Sequence, residues 1–256
     1  MNQLREKLSR GERVYGSLVS LTDPCLCEIM GRVGYDCVWI DMEHTYISER
    51  DALCHLNAAR ATGIASLVRV PQHDLSETKR ILEMGPDAIL FPMVRSAAEA
   101  RELIDMTLYP PLGNRGFGPM RAIGYGAEDA AAYVDAKSLV DTCRFMQIEH
   151  VSMINELDEI AANPYVDGFI FGPNDLSGSV GEMLRVFDET TAAEMRRAIA
   201  IMKKHGKPFG IACGADQRAL DYWSSFAPDM LFAGADWCFV YSAGIDTLKR
   251  MRTAMV

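Results

Sequence analysis

Four apolar runs in this chain end on side chains able to do chemistry. Cys37-Val38-Trp39-Ile40 runs out at Asp41-Met42-Glu43-His44, and Ser66-Leu67-Val68 ends on Arg69. Phe145-Met146 leads into Gln147-Ile148-Glu149-His150, and Gly168-Phe169-Ile170-Phe171 into Gly172-Pro173-Asn174-Asp175. Glu149 and Asp175 are hard oxygen ligands that suit Mg2+, Mn2+ or Co2+, with open positions left to water and substrate. The competing reading is a pair of solvated carboxylates, or partners for a nearby arginine. His44 titrates near working pH and fits a general base, or it caps a strand end. Arg69 is a permanently charged fork suited to a carboxylate or to charge growing on an enolate oxygen. Its alternative is a salt bridge to Asp41 or Glu43. Gln147 and Glu149 are two apart, so on one strand they share a face, and His150 points the other way. The Gly172–Gly181 stretch, GPNDLSGSVG, reads as a turn whose successive N–H groups could hold a carboxylate. No lysine stands at these run ends, which disfavours a Schiff-base enzyme.

Something must bring these ends together. Apolar runs alternate with helical periodicity, a βαβα rhythm that implies a parallel sheet covered on both faces. Strands are expected at Val14–Val19, Cys37–Asp41, Ala65–Val70, Ala88–Pro92, Arg144–Glu149, Gly168–Phe171, Pro208–Ala212 and Met230–Ala233. Helices are expected at Pro24–Val33, Ser48–Thr62 (opened by a Ser48–Asp51 capping box), Leu75–Met84, Ala97–Thr107, Val151–Ala162, Glu189–His205, Asp216–Phe226 and Ser242–Thr253. Eight such units in 256 residues match one (β/α)8 TIM barrel, which needs about 250 and gathers the C-terminal ends of its strands at one catalytic mouth. No linker or composition shift divides residues 1–256. An open doubly wound sheet is the weaker choice, because no GxGxxG or GxxxxGK loop follows the first strand. Tyr109–Gly126 breaks the rhythm with a long Gly-, Pro- and Arg-rich connection on the face opposite the mouth. Its length and its Arg115 and Arg121 suggest reach toward a neighbouring subunit.

The net charge of −9 argues against nucleic acid or an anionic membrane as partner, since both require a basic patch. No apolar run approaches the roughly 18 residues of a membrane span. The N-terminus alternates charge and reads as a first helix rather than a signal peptide. The seven cysteines are scattered with no CxxC or zinc spacing, as expected of free thiols in a reducing cytoplasm.

The ordered segments GYDCVWIDMEH (Gly34–His44), LVRVP (Leu67–Pro71), FPMV (Phe91–Val94), YPPLGNRG (Tyr109–Gly116), QIEH (Gln147–His150) and VDGFIFGPNDLSGSVG (Val166–Gly181) span nearly the whole chain. Together they resemble the HpcH/HpaI aldolases, class II pyruvate-dependent enzymes that include 4-hydroxy-2-oxoheptanedioate and 2-keto-3-deoxysugar-acid aldolases. The resemblance implies a barrel of the phosphoenolpyruvate/pyruvate-binding type. It also implies divalent-metal-dependent cleavage of 4-hydroxy-2-oxo acids to pyruvate and an aldehyde through a metal-bound enolate. His44 would be the base, Arg69 the enolate stabiliser, and Glu149 and Asp175 the ligands of Mg2+, Mn2+ or Co2+. Gln147 would contact pyruvate, and the backbone amides of Asn174 and Asp175 would hold its carboxylate. Glu83 stands where the family more often has an aspartate that sharpens the basicity of the histidine. Ala212 stands where some relatives carry a bulkier residue near the aldehyde pocket. A hexamer is implied, with small-molecule 2-oxo acid and aldehyde as its other partners. Three alternatives use the same residues: an oxaloacetate decarboxylase, an acyl-CoA C–C lyase, and a non-catalytic keto-acid or metal-binding barrel.

Overall fold

The computed structural model describes residues 2–71 and 73–255. Its strands are β1 (Val14–Val19), β2 (Cys37–Asp41), β3 (Ala65–Arg69), β4 (Ala88–Phe91), β5 (Cys143–Ile148), β6 (Gly168–Phe171), β7 (Phe209–Cys213) and β8 (Met230–Ala235). They pair in parallel and in chain order, and β8 returns to β1, closing the barrel. The fold is thus the expected (β/α)8 TIM barrel, with strand limits within two residues of those read from the apolar runs.

Two apolar layers hold it. Inside, Trp39, Leu67, Leu90, Phe145, Ile170 and Phe232 pack into a dry plug, with Trp39 edge-on to Phe232 at 5.4 Å. Gly16 allows this, because a Cβ there would stand 2.5 Å from the Phe232 ring. Outside, the second faces of the strands pack against the helices. The helix Glu49–Thr62 opens on the expected capping box between Ser48 and Asp51. A first helix, Gln3–Ser9, does form; Leu4 joins the interior cluster and Asn2 ties it to the Asp87 and Asp141 carbonyls. Met1, with which that expectation began, lies outside the described residues.

Four expectations change. Val151–Ala162 is broken at Glu156 into Val151–Asn155 and Leu157–Ala162. GPNDLSGSVG is not an open turn: Pro173–Ser179 is helical, with proline in the first turn, where its fixed φ is already suitable. The last helix runs from Asp236 to Ala254, beginning directly at the end of β8 rather than at Ser242. Finally, Arg115 and Arg121 do not project from the long connection. Both are buried, Arg115 donating to Glu83 Oε1 at 3.0 Å and Arg121 to Asn57 Oδ1 at 3.1 Å and to the Met84 carbonyl. Buried guanidinium groups must find acceptors, and the chain's own helices supply them, at the end of Leu75–Glu83 and in the middle of Glu49–Thr62. Among the described residues no helix is long and apolar enough to cross a membrane.

Candidate active site

β2 and β3 pair so that Asp41 lies directly beside Arg69. Both side chains face the barrel interior above Trp39, and the Arg69 guanidinium carbon sits 5.2 Å from the Trp39 ring centroid. Arg69 donates from Nε to Asp41 Oδ1 at 2.9 Å and from Nη2 to Asp41 Oδ2 at 2.6 Å. The salt bridge weighed from sequence is therefore real, and it is bidentate. It leaves Nη1 aimed inward, 2.9 Å from Glu43 Oε2 and 3.5 Å from Gln147 Oε1. The approach to Glu43 is poorly angled, so this buried carboxylate oxygen has no hydrogen-bond partner.

Gln147, on β5, and Glu149, just beyond it, share a face, and both are 2% exposed. Glu149 Oε2 accepts the Met93 N–H at 2.9 Å. Met93 presents that amide from a left-handed backbone, φ 52°, a conformation that costs a non-glycine residue about 1–3 kcal/mol and concentrates at functional sites. Burial, aided by the negative charges of Glu43 and Asp175, pushes the Glu149 carboxyl up to about 7 against the pull of the Met93 amide and Arg69. Glu43 is also raised, again chiefly by burial, with Arg69 and His44 opposing. Three carboxylates (Asp41, Glu43, Glu149) thus gather about one guanidinium, and a fourth, the half-buried Asp175, is near enough to act on Glu43 and Glu149. Such an excess is stable only with protons or a cation. The residues present fit a divalent ion, although among the described residues no three His, Cys, Asp or Glu side chains stand close enough to enclose one.

His44 sits on the exposed rim, its Nε2 3.6 Å from Glu43 Oε2. Asn174 and Ala212 line the same cavity of about 650 Å3, together with Asp41, His44 and Arg69. Asp175 lies in the first turn of Pro173–Ser179, a helix start that no side chain caps, leaving its N–H groups to a ligand. His150 turns away and caps the next helix, accepting the Ser152 N–H.

Glu83 is not brought to His44 within the chain. It ends the helix Leu75–Glu83 that returns to the start of β4, on the face opposite the mouth, and is bound to Arg115. An offset of 14 residues from Arg69 carries the chain down the outside of the barrel, not around its rim.

Sequence reading missed the Met93 amide and Gly172. A Cβ on Gly172 would meet Glu149 Oε1 at 2.5 Å and Gln147 Nε2 at 3.0 Å. Gly172→Ala is therefore expected to displace both side chains and lower turnover at least ~10²-fold, since small misplacements cost that much. Circular dichroism should still report a folded barrel. Turnover within threefold of the parent would show that the contact yields.

The fold is one whose mouth carries active sites, and the relatives of this chain are enzymes that make or break carbon–carbon bonds. The chain belongs to the HpcH/HpaI aldolase/citrate lyase family, whose model matches residues 15–219. It is 33% identical over 232 residues, 88% of this chain and 89% of the relative, to a hydroxypyruvate/pyruvate aldolase of Roseobacter denitrificans. It is 31% identical over 254 residues to a 4-hydroxy-2-oxovalerate aldolase of Novosphingobium aromaticivorans, covering 98% and 95% of the two chains. The crystal structure of an HpcH/HpaI aldolase from Desulfitobacterium hafniense superposes with a TM-score of 0.90 at 28% identity, covering 97% and 96%.

Proposed function

We propose that the chain, working as one barrel domain, is a divalent-metal-dependent aldolase that reversibly cleaves 4-hydroxy-2-oxo acids to a pyruvate-type 2-oxo acid and an aldehyde. The observation that carries this reading is the buried surplus of carboxylates around Arg69 and Gln147 at the barrel mouth. Glu149 and Asp175 would hold the cation, Mg2+, Mn2+ or Co2+, and Glu43 adds negative charge beside them. Once bound, that ion would act as a Lewis acid toward the 2-oxo acid.

The protein's own groups do the rest. The free N–H groups of Asn174 and Asp175 receive the substrate carboxylate. Gln147, wedged against Gly172, fixes its orientation. His44 takes the proton of the C4 hydroxyl; the C3–C4 bond breaks, the aldehyde leaves, and the bonding pair passes to the enolate. Arg69, held square by Asp41, opposes charge on the enolate oxygen, and protonation at C3 yields the 2-oxo acid. In reverse, C3 loses a proton, bonds to the aldehyde carbon, and the aldehyde oxygen takes up a proton. The test is deuterium exchange at C3 of pyruvate, followed by NMR with Mn2+, Mg2+ or Co2+ absent and present. Exchange independent of added cation, or borohydride trapping of pyruvate on a lysine, would end this reading.

A homo-oligomer is part of the proposal. From Val240 to Met255 every residue is exposed, yet Tyr241, Ile245, Leu248 and Met251 form an apolar stripe at helical spacing. Tyr15, on β1 beside Leu231 near the start of β8, is 56% exposed. An ordinary barrel covers that outer face with its eighth helix. A second copy's last helix would cover it and in the same exchange bury both stripes. Tyr241→Asp with Leu248→Asp is expected to halve or further reduce the mass measured by light scattering; an unchanged assembly would exclude the helix from the interface. The cysteines are all free and three of them buried, which supports a reducing, cytoplasmic setting.

A further inference from the structure

We infer that the acceptor aldehyde is uncharged and apolar, with an aromatic or branched body, rather than a carboxylated or phosphorylated one. The inference rests on the aldolase reading and concerns the part of the cavity which that chemistry leaves unused. A cavity of about 650 Å3 is several times larger than a three-carbon 2-oxo acid needs. Beside the polar Ser20, Thr45, Asn174 and Asp216, its lining includes six large apolar side chains, Leu18, Leu21, Val186, Phe187, Trp223 and Trp237. Phe187 and Trp223 stack at 5.8 Å with their planes 29° apart, giving a flat, rigid surface. Ala212, also in the lining, adds only a methyl group and takes up little of this space.

Charge argues in the same direction. Among the described residues lining the cavity, Arg69 is the only permanently cationic side chain; it is paired with Asp41, and on the aldolase reading its remaining nitrogen serves the enolate rather than an acceptor. Arg218 lies on the Phe187 ring, 4.5 Å from its centroid, and does not line the cavity. Asp41 and Asp216 do line it. A second anion would therefore enter without a counter-ion and facing carboxylates, a costly arrangement in a confined site. Tyr46 adds a further large aromatic side chain to the same lining.

The experiment uses the protein in its solution state, with pyruvate and matched acceptors. Benzaldehyde and hexanal are compared with succinic semialdehyde by kcat/KM, and benzyl alcohol with 4-hydroxybutyrate by quenching of tryptophan fluorescence. The uncharged compounds are expected to lead by at least ~10-fold in both arms, as a few well-buried CH2 groups suffice to give. Trp237→Arg should move the benzaldehyde-to-semialdehyde ratio toward the acid by ~10-fold, a ratio that does not depend on how much protein is folded. C3 exchange of pyruvate alone separates the possible failures. Exchange with a preference for the acid overturns this inference and leaves the aldolase intact. No exchange, with benzyl alcohol still preferred, overturns the aldolase and supports the apolar site. Equal quenching by the two alcohols, or a ratio unmoved in Trp237→Arg, overturns the inference.

Discussion

Protein treated with EDTA is expected to lose aldol cleavage by about 10²–10⁴-fold and to regain it with Mn2+, Mg2+ or Co2+. The size follows from a Lewis acid supplying several kcal/mol, with each 1.36 kcal/mol worth tenfold. Glu149→Gln should copy the loss and resist rescue. It should also change stability in a way that an ordinary core mutation does not. The Glu149 carboxyl is held up to about 7 by burial, above the ordinary value of about 4.3. Between those values the folded protein binds the proton more tightly than the unfolded chain, so this group's contribution to stability declines as pH rises from about 4 to 7. At pH 8 the cation-free parent carries the whole penalty, and Glu149→Gln carries none. The variant is therefore expected to have the higher Tm at pH 8 without cation, and the parent to overtake it when Mn2+ is added. Measurement is by thermal unfolding at pH 5 and pH 8, with and without metal. A variant less stable than the parent under all four conditions would return Glu149 to a structural role.

The second large effect is expected at Arg69. Arg69→Lys should lower kcat by about 10²–10³-fold, the usual cost of removing one preorganised donor from developing negative charge. Lysine keeps the charge, but it cannot donate to both Asp41 oxygens and still aim an N–H at the substrate. The bidentate pair with Asp41 means that some stability is lost as well. The two roles separate by measurement: Tm and denaturant midpoint report the Asp41 pair, while kcat at full occupancy reports the donor. Asp41→Asn provides the control. It keeps Arg69 in place but holds it less firmly, and it should lose turnover with little change in the affinity for metal. If Arg69→Lys loses activity only in proportion to its unfolded fraction, the guanidinium serves the fold alone.

Much of this was written locally. Short apolar runs without alternation, each bounded by helix signals, settle the barrel, because strands covered on both faces need those residues whatever their neighbours are. The functional ends are legible for the same reason: where a run gives way to Asp41, Arg69, Gln147 or Glu149, a polar group has reached the mouth. The spacing of Gln147 and Glu149 puts them on one side by the pleat alone. Properties that depend on register and on distant partners were not legible. That Asp41 grips Arg69 follows from β2 and β3 pairing at those residues, which neither strand states by itself. Glu83 matched a family spacing, yet a helix returning outside the barrel takes it to the opposite face, where Arg115 claims it. Arg115 and Arg121 looked exposed because charge in a glycine-rich segment usually is; acceptors on helices remote in sequence made their burial possible. The helix at Pro173 was concealed by glycine and serine, residues that favour turns until tertiary packing buries Leu176 and Ser177. Met93 bears its strained φ because its amide has a buried carboxylate to meet, and only the closed barrel brings that carboxylate within reach.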